Sequence, residues 1–197
     1  VFNFVTTSPA SARRLWGVLF DLDLTGSIVV TALGLDDPLM WLAIDQRAPK
    51  PVTEDDLWVR ILDVRRALEA RTFDAPLDIV IDVSDSYVSA NAGLWRIVTH
   101  PANADASSGA VAASVPQLHA SVTRVDSDDS DDSDDAEPVA SADVSLGIQE
   151  LGAAYLGGPS IHALAQAGLV QEHTPGAVRA LSVAMQFHQE PMSLFHF

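Results

Sequence analysis

Residues 77–85, LDIVIDVSD, decide the fold class of this chain. Every second residue from Leu77 to Val83 is a bulky aliphatic residue, and the positions between them carry Asp78, Val80 and Asp82. This alternation is the period of a strand with one buried face. The stretch therefore predicts a sheet whose apolar face is covered by another layer.

Outward from this strand, other segments show the strand or the helix pattern. Further strands are predicted at LWVRILD (57–63), GLWRIVT (93–99), HASVTRV (119–125), ADVSLGI (142–148) and LVQEH (169–173). Helices are predicted after Asp63, before Gly157-Gly158, between Ser160 and Gly168, and from Thr174-Pro175. We expect an α+β domain, with helices on one face of a sheet of about five strands.

The first fifty residues have a different texture. Ser8-Pro9 starts a helix that runs to about Asp23, residues 27–31 read as a short strand, and Asp37-Pro38 starts a short helix. Residues 48–56 are polar and proline-rich, which places a domain boundary between 1–50 and 57–197. The four tryptophans occupy positions predicted to face a core: Trp16, Trp41, Trp58 and Trp95.

Composition limits the classes of function. The net charge of −16 over 197 residues argues against binding of nucleic acid, which needs clustered Lys and Arg. Eight of the 27 acids lie in the run from Asp126 to Glu137, and we expect an acidic insert, 126–138, to be disordered. A cationic partner is electrostatically plausible. We expect no membrane span, because the longest apolar run is too short, and a cytoplasmic location.

Several stretches, in this order along the chain, resemble those of Eis-type (enhanced intracellular survival) N-acetyltransferases. LWVRILDV (57–64) and ELGAAYLGG (150–158) are the most specific, and DDPLMWLAIDQR (36–47), NAGLWRIV (91–98) and the aromatic C-terminus also match. The resemblance implies a C-terminal half: the end of a second GNAT-like domain in 1–50 and a sterol-carrier-protein-like domain in 57–197. The first residue is Val1, not Met, and we expect a parent protein that extends upstream.

The resemblance also implies which chemistry this chain lacks. Acetyl-CoA would be bound by the upstream domain, because the Gly-rich loop that cradles the CoA pyrophosphate is absent here. The family's tyrosine general acid belongs to that first domain, and neither Tyr87 nor Tyr155 lies in a matching context. The acceptor would be an amine of a polycationic molecule, an aminoglycoside or a lysine side chain. A homo-oligomer, a hexamer by analogy, is expected.

One catalytic group carries over from the family to this chain. The family's C-terminal carboxylate helps to deprotonate the acceptor amine, and the last residue here is Phe197. His196 stands where an acidic penultimate residue is expected, and we assign it to substrate binding. No residue is assigned to cofactor or metal binding.

Other interpretations stay open at this point. The chain could be a free-standing sterol-carrier-like domain that binds an apolar ligand. Asp21, Asp23 and Thr25 match the D-x-D-x-T nucleophile motif of haloacid-dehalogenase-type phosphatases, although two surface carboxylates at a helix end explain them better. The acidic run lacks the glycine turn of a calcium loop. The six histidines show no zinc-binding spacing.

Overall fold

The structure, a computed structural model, describes residues 6, 8–54, 57–101, 117–125 and 141–192. These divide into two compact units. The second runs from Val59 to His188, and the first combines the described residues up to Trp58 with those from Gln189 onward. No helix in the described ranges is both long enough and apolar enough to cross a bilayer.

The second unit is built on a five-stranded mixed sheet, so the predicted α+β class is confirmed. The strands are β1 (Asp78–Ser84), β2 (Gly93–Pro101), β3 (Leu118–Val125), β4 (Val144–Gly147) and β5 (Val170–Glu172). Their order is β3-β2-β1-β4-β5, and only the β1–β4 pair is parallel. Central strand β1 alternates between buried and more exposed residues as its sequence predicts.

Four helices of the second unit begin and end largely where their sequence signals predict. They are α3 (Val64–Ala70), α4 (Ile148–Ala154), α5 (Ile161–Gln166) and α6 (Ala177–Met185). The side chains of Asp63 and Ser160 cap α3 and α5 as predicted. Helix α6 starts later than Thr174-Pro175, because Glu172 accepts from the amides of Gly176 and Val178 and sets the first turn there.

The predicted strand at 57–63 is wrong. Ile61 is 3% exposed and belongs to the core, but the segment joins no strand of the sheet. Its backbone is bonded by a side chain instead: the Asn91 amide donates to the carbonyl of Ile61. The apolar pattern of 57–63 can therefore come from a segment with one buried residue that forms no hydrogen bonds with a neighbouring strand.

The first unit contains α1 (Pro9–Phe20) and α2 (Leu39–Leu42). Helix α1 begins at the predicted Ser8 cap and ends before Asp21, and the predicted strand at 27–31 is wrong, since no named strand forms there. Trp16 and, in the second unit, Trp95 are core residues as predicted. Trp41 and Trp58 are not, since they are 82% and 84% exposed.

Gly157 and Gly168 offer a matched pair of substitutions. Both have positive φ, +89° and +76°, so alanine at either is expected to cost about 1–2 kcal/mol of stability from backbone strain. At Gly168 a Cβ meets nothing within 4 Å, but at Gly157 it would lie 2.7 Å from Phe187 Cδ2. We expect Gly157→Ala to cost about 1–3 kcal/mol more than Gly168→Ala in urea unfolding. Equal losses would show that the Phe187 contact adjusts freely.

Candidate functional site

The C-terminal segment, residues 189–192, belongs to the first unit and contacts the loop before α2 there. The amide of Glu190 donates to Asp36 Oδ2 at 3.4 Å, and a Cβ at Gly34 would lie 3.6 Å from Met192 Sδ. Gln189 lines an open cleft of about 400 Å³ together with Thr6, Ser8, Pro9, Ala12, Arg13, Pro38 and Leu42. Residues 189–192 therefore follow a surface that α1 and the loop before α2 form together.

The Asp37 side chain holds α1 and the loop before α2 together by two hydrogen bonds. One of its oxygens, Oδ1, accepts from the indole N–H of Trp16 at 3.2 Å and from the amide of Leu39 at 2.8 Å. Trp16 is 2% exposed, so the bond ties the buried face of α1 to the first turn of α2. The loop that contacts the C-terminal segment is thus held by one carboxylate between two helices.

The two residues assigned to the site from the sequence, Phe197 and His196, lie outside the described residues. The acidic insert 126–138 does so as well. The nearest described position to the C-terminus is Met192, 39% exposed. The structure thus describes the segment just before the assigned residues, 189–192, as part of the first unit.

The starts of helices α1 and α6 do not fit the pyrophosphate of CoA. At α1 the Ser8 hydroxyl already accepts from the amide of Ser11, and Pro9 has no N–H to offer. At α6 the Glu172 carboxylate occupies the place of an anion, bonded by the amides of Gly176 and Val178 at 3.0 Å. Amides in the first turns of these two helices are thus bonded by side chains of this chain and are not free to hold a pyrophosphate.

A buried carboxylate organises the turn after β1. The Asp85 side chain is fully buried and accepts from Arg60 at 2.7 Å, Asn91 Nδ2 at 3.0 Å and the amides of Tyr87 and Val88. Asn91 extends the network by accepting from the amide of Val64. Burial alone would raise the pKa of Asp85, but the bonds from Asn91, the two amides and Arg60 hold it well below its usual range.

Sequence reasoning missed Asp85, although a signal was present. An aspartate at the end of a strand whose side chain can accept from amides two and three residues on is typical of an Asx turn. The residues around it are all bonded to one another, so the cluster stabilises the fold and offers no free group for chemistry.

Two other clusters can be set aside as catalytic sites. Ser145 Oγ lies 2.7 Å from His173 Nε2, but in the described ranges no carboxylate accepts from the other ring nitrogen, so the third member of a hydrolytic triad is missing. Asp21 caps the end of helix α1, and Asp23 accepts from the amide of Leu24. A phosphatase nucleophile is expected after a strand, so the predicted explanation of two surface carboxylates at a helix end fits the structure. The described residues hold no group of three metal ligands.

The layer between helices and sheet is occupied by side chains. Eight large ones are at most 1% exposed: Leu68, Phe73, Ile81, Ile97, Leu151, Ile161, Leu181 and Met185. A sterol-sized ligand in the described part of this unit would have to displace them. This packing disfavours the interpretation as a free-standing carrier of an apolar ligand.

Family models match almost the whole length of the chain. A sterol carrier protein domain matches residues 64–193, and an acetyltransferase (GNAT) domain matches residues 1–78. The two matches confirm the resemblance inferred from the sequence motifs.

Relatives and a solved structure agree with these family models. An uncharacterized N-acetyltransferase of Streptomyces coelicolor is 36% identical over 175 residues, 89% of this chain and 35% of that protein. One of Streptomyces griseus is 32% identical over 97% of this chain and 39% of its own length. The crystal structure of Eis1 from Mycobacterium abscessus is 30% identical, with a TM-score of 0.73 over 99% of this chain and 42% of that one. The chain thus spans between 35% and 42% of the length of these proteins.

Proposed function

We propose that this chain, which belongs to the sterol carrier protein domain family, is the C-terminal portion of a GNAT-type N-acetyltransferase. The intact protein would transfer acetyl from acetyl-CoA, bound by an upstream domain, to an amine. The observation that carries the proposal is the position of the C-terminal segment within the first unit, where Glu190 bonds to Asp36 in the loop before α2 (the Asp36 loop) and Gln189 lines the cleft. A segment held in this way can present its terminal carboxylate to a neighbouring cleft.

The chemistry assigned to this chain is proton transfer. A protonated amine cannot attack a thioester, so it must first give up a proton, and the Phe197 carboxylate would accept it directly or through one water. An α-carboxyl has an ordinary pKa of about 3.5, which makes it a weak base in water. Removal from water would raise that pKa and strengthen the base. His196, beside it, would contact the acceptor.

Charge and exposed apolar surface support the remaining parts of the proposal. The chain carries 27 acids against 11 bases, which favours polycationic acceptors such as aminoglycosides or lysine side chains. Large apolar side chains of the first unit stand in solvent, among them Leu24, Trp41 and Ile44 at 98%, 82% and 107% exposure. Surfaces of this kind are usually covered by other protein, which fits a portion of a larger cytoplasmic homo-oligomer.

The test is an acetyl-transfer assay on the intact protein. We expect release of the CoA thiol that depends on an amine, with a higher kcat/KM for an aminoglycoside or a lysine-rich peptide than for a monoamine. Added salt should reduce that preference, because it screens the attraction between acceptor and protein. The absence of CoA release with every amine would refute the proposal. Micromolar binding of acetyl-CoA to the isolated 197-residue chain would refute the assignment of the cofactor site.

A further inference from the structure

A short segment of the second unit, residues 59–62, has the side-chain order of a strand but no strand beside it. Val59 is half-buried and Ile61 is 3% exposed, whereas Arg60 is exposed and Leu62 is 70% exposed. This is the alternation that the sequence predicts for a strand with one buried face. The segment nevertheless joins no strand of the sheet.

One side of the segment's backbone is used by the second unit itself. Asn91 Nδ2 donates to the carbonyl of Ile61 at 3.3 Å, and a Cβ on Gly152 would lie 2.8 Å from the carbonyl oxygen of Val59. The Asn91 side chain also accepts from the amide of Val64 at 3.1 Å, at the start of α3. The carbonyls of Val59 and Ile61 therefore face the body of the unit.

The other side of the segment's backbone is unused. In the part of the chain that the structure describes, neither the amide nor the carbonyl of Arg60 or Leu62 takes part in a hydrogen bond. Successive residues of an extended segment direct their backbone groups to opposite sides, so these groups face away from the unit. An edge of this kind can accept a further strand through main-chain hydrogen bonds.

The side chains around this edge are held in place before any partner arrives. Arg60 Nη2 lies 2.7 Å from the buried carboxylate of Asp85, and the Arg60 guanidinium carbon lies 5.3 Å from the ring centre of Tyr87. The Tyr87 side chain is 83% exposed. Aromatic residues and arginine are enriched at protein interfaces, and a surface that is ordered in advance loses less entropy on binding.

The extents of the two family models indicate what binds at this edge. The acetyltransferase (GNAT) model includes residues 59–62, whereas the sterol carrier protein model begins only at residue 64. The chain covers less than half of the length of its relatives, so most of each relative lies outside the matched part. By sequence, the unpaired edge thus goes with the acetyltransferase part.

We propose that residues 59–62, with the exposed side chains of Leu62 and Tyr87, bind an extended segment from the acetyltransferase part of the intact protein that lies upstream of Val1. The bound segment would add as a strand to the backbone groups of Arg60 and Leu62 and pack apolar side chains against Leu62 and Tyr87. The inference rests on the proposed function, which supplies that upstream part.

Amide hydrogen exchange on the intact protein measures this pairing. We expect the amides of Arg60 and Leu62 to exchange at least about a hundredfold more slowly than unprotected amides, because a main-chain hydrogen bond must open first. Unprotected rates at both amides would overturn the docking.

A matched pair of leucine variants tests the apolar part of the surface. Leu62→Glu should speed exchange of the Arg60 amide at least about tenfold, since a charge would replace a contact that excludes water. Leu169→Glu, at a leucine of the second unit that is 52% exposed, is the control and should leave the Arg60 amide protected. Equal rates in the two variants would overturn the assigned contact of Leu62.

A photo-crosslinking amino acid in place of Tyr87 identifies the bound segment in the intact protein. We expect the cross-linked peptide to lie upstream of Val1. A peptide from residues 1–197 would assign the edge to a second copy or to another part of this chain and would overturn the proposal, as would the absence of any cross-link.

The acetyl-transfer assay keeps this inference separate from the proposed function. An intact protein that releases CoA but exchanges the Arg60 and Leu62 amides at unprotected rates would overturn the docking alone. Protected amides and an upstream cross-link, in a protein that releases no CoA with any amine, would refute the proposed reaction and leave the docking in place.

Discussion

Extending the intact enzyme by Gly-Ser beyond Phe197 is expected to lower kcat by about a hundredfold or more, the range of a lost general base. The extension replaces the carboxylate with an uncharged amide and moves the new terminus away from the acceptor. The KM for acetyl-CoA should change little, because the proposed cofactor site lies in the upstream domain. Steady-state kinetics at saturating acceptor measure the effect.

The same Gly-Ser pair attached at the N-terminus of the intact enzyme is the control, and it should leave kcat unchanged. The pH profile gives a second reading. A carboxylate base must be ionised, so kcat should fall at acid pH in the wild type, and that limb should disappear in the extended enzyme. An acid limb that persists unchanged after the extension would assign the base to another group.

Replacing Asp85 with alanine is expected to lower the thermal midpoint of the second unit more than Val83→Ala does. Val83 is a core residue of the same strand, 1% exposed. Its truncation loses only apolar contacts, whereas loss of the Asp85 carboxylate leaves four donors without an acceptor, and the Asn91 donor among them is buried. Those donors are Arg60 Nη2, Asn91 Nδ2 and the amides of Tyr87 and Val88. A smaller shift for Asp85→Ala would mean that water satisfies these donors.

The contribution of Asp85 to stability has a defined pH window. Burial opposes ionisation, but the bonds from Asn91, the amides and Arg60 outweigh it, so the folded-state pKa lies below the unfolded value of about 3.9. A depressed pKa stabilises the fold above that value and ceases to do so as the pH falls through the folded pKa. Urea unfolding should therefore show a difference between wild type and Asp85→Ala that is full near pH 7 and shrinks as the pH falls from about 4 toward the folded pKa. A difference that stays constant as the pH falls below about 4 would contradict the assignment.

Much of the sheet could be predicted because a strand with one buried face has apolar residues at every second position of its sequence. The alternation from Leu77 to Val83 became β1, and the same reasoning placed β2 to β5. It failed at 57–63, where Ile61 alone is buried and a side-chain amide replaces the ladder. The prediction that Trp41 and Trp58 face a core was wrong. A large apolar residue is usually buried, but the residue type does not show which part of the protein would cover it.

The polar networks were harder to predict than the core. Arg71 and Asp85 are charged, and a charge in a sequence normally indicates a surface position. Their burial depends on groups brought in from distant parts of the chain: Tyr155 and Met185 for the arginine, Asn91 and Arg60 for the aspartate. Of these contacts, only the Asx turn after Asp85 involves residues close enough in the sequence to be recognised from it. The catalytic assignment of Phe197 came from family resemblance and stays a prediction.

A crystal structure of the intact protein with acetyl-CoA and an amine acceptor would test the role of the C-terminus most directly. The quantity to measure is the distance from the nearer Phe197 carboxylate oxygen to the acceptor nitrogen. We expect about 3 Å, or one intervening water. A carboxylate that faces solvent, with residues beyond Gln189 detached from the Asp36 loop, would contradict the proposed role of this chain in catalysis.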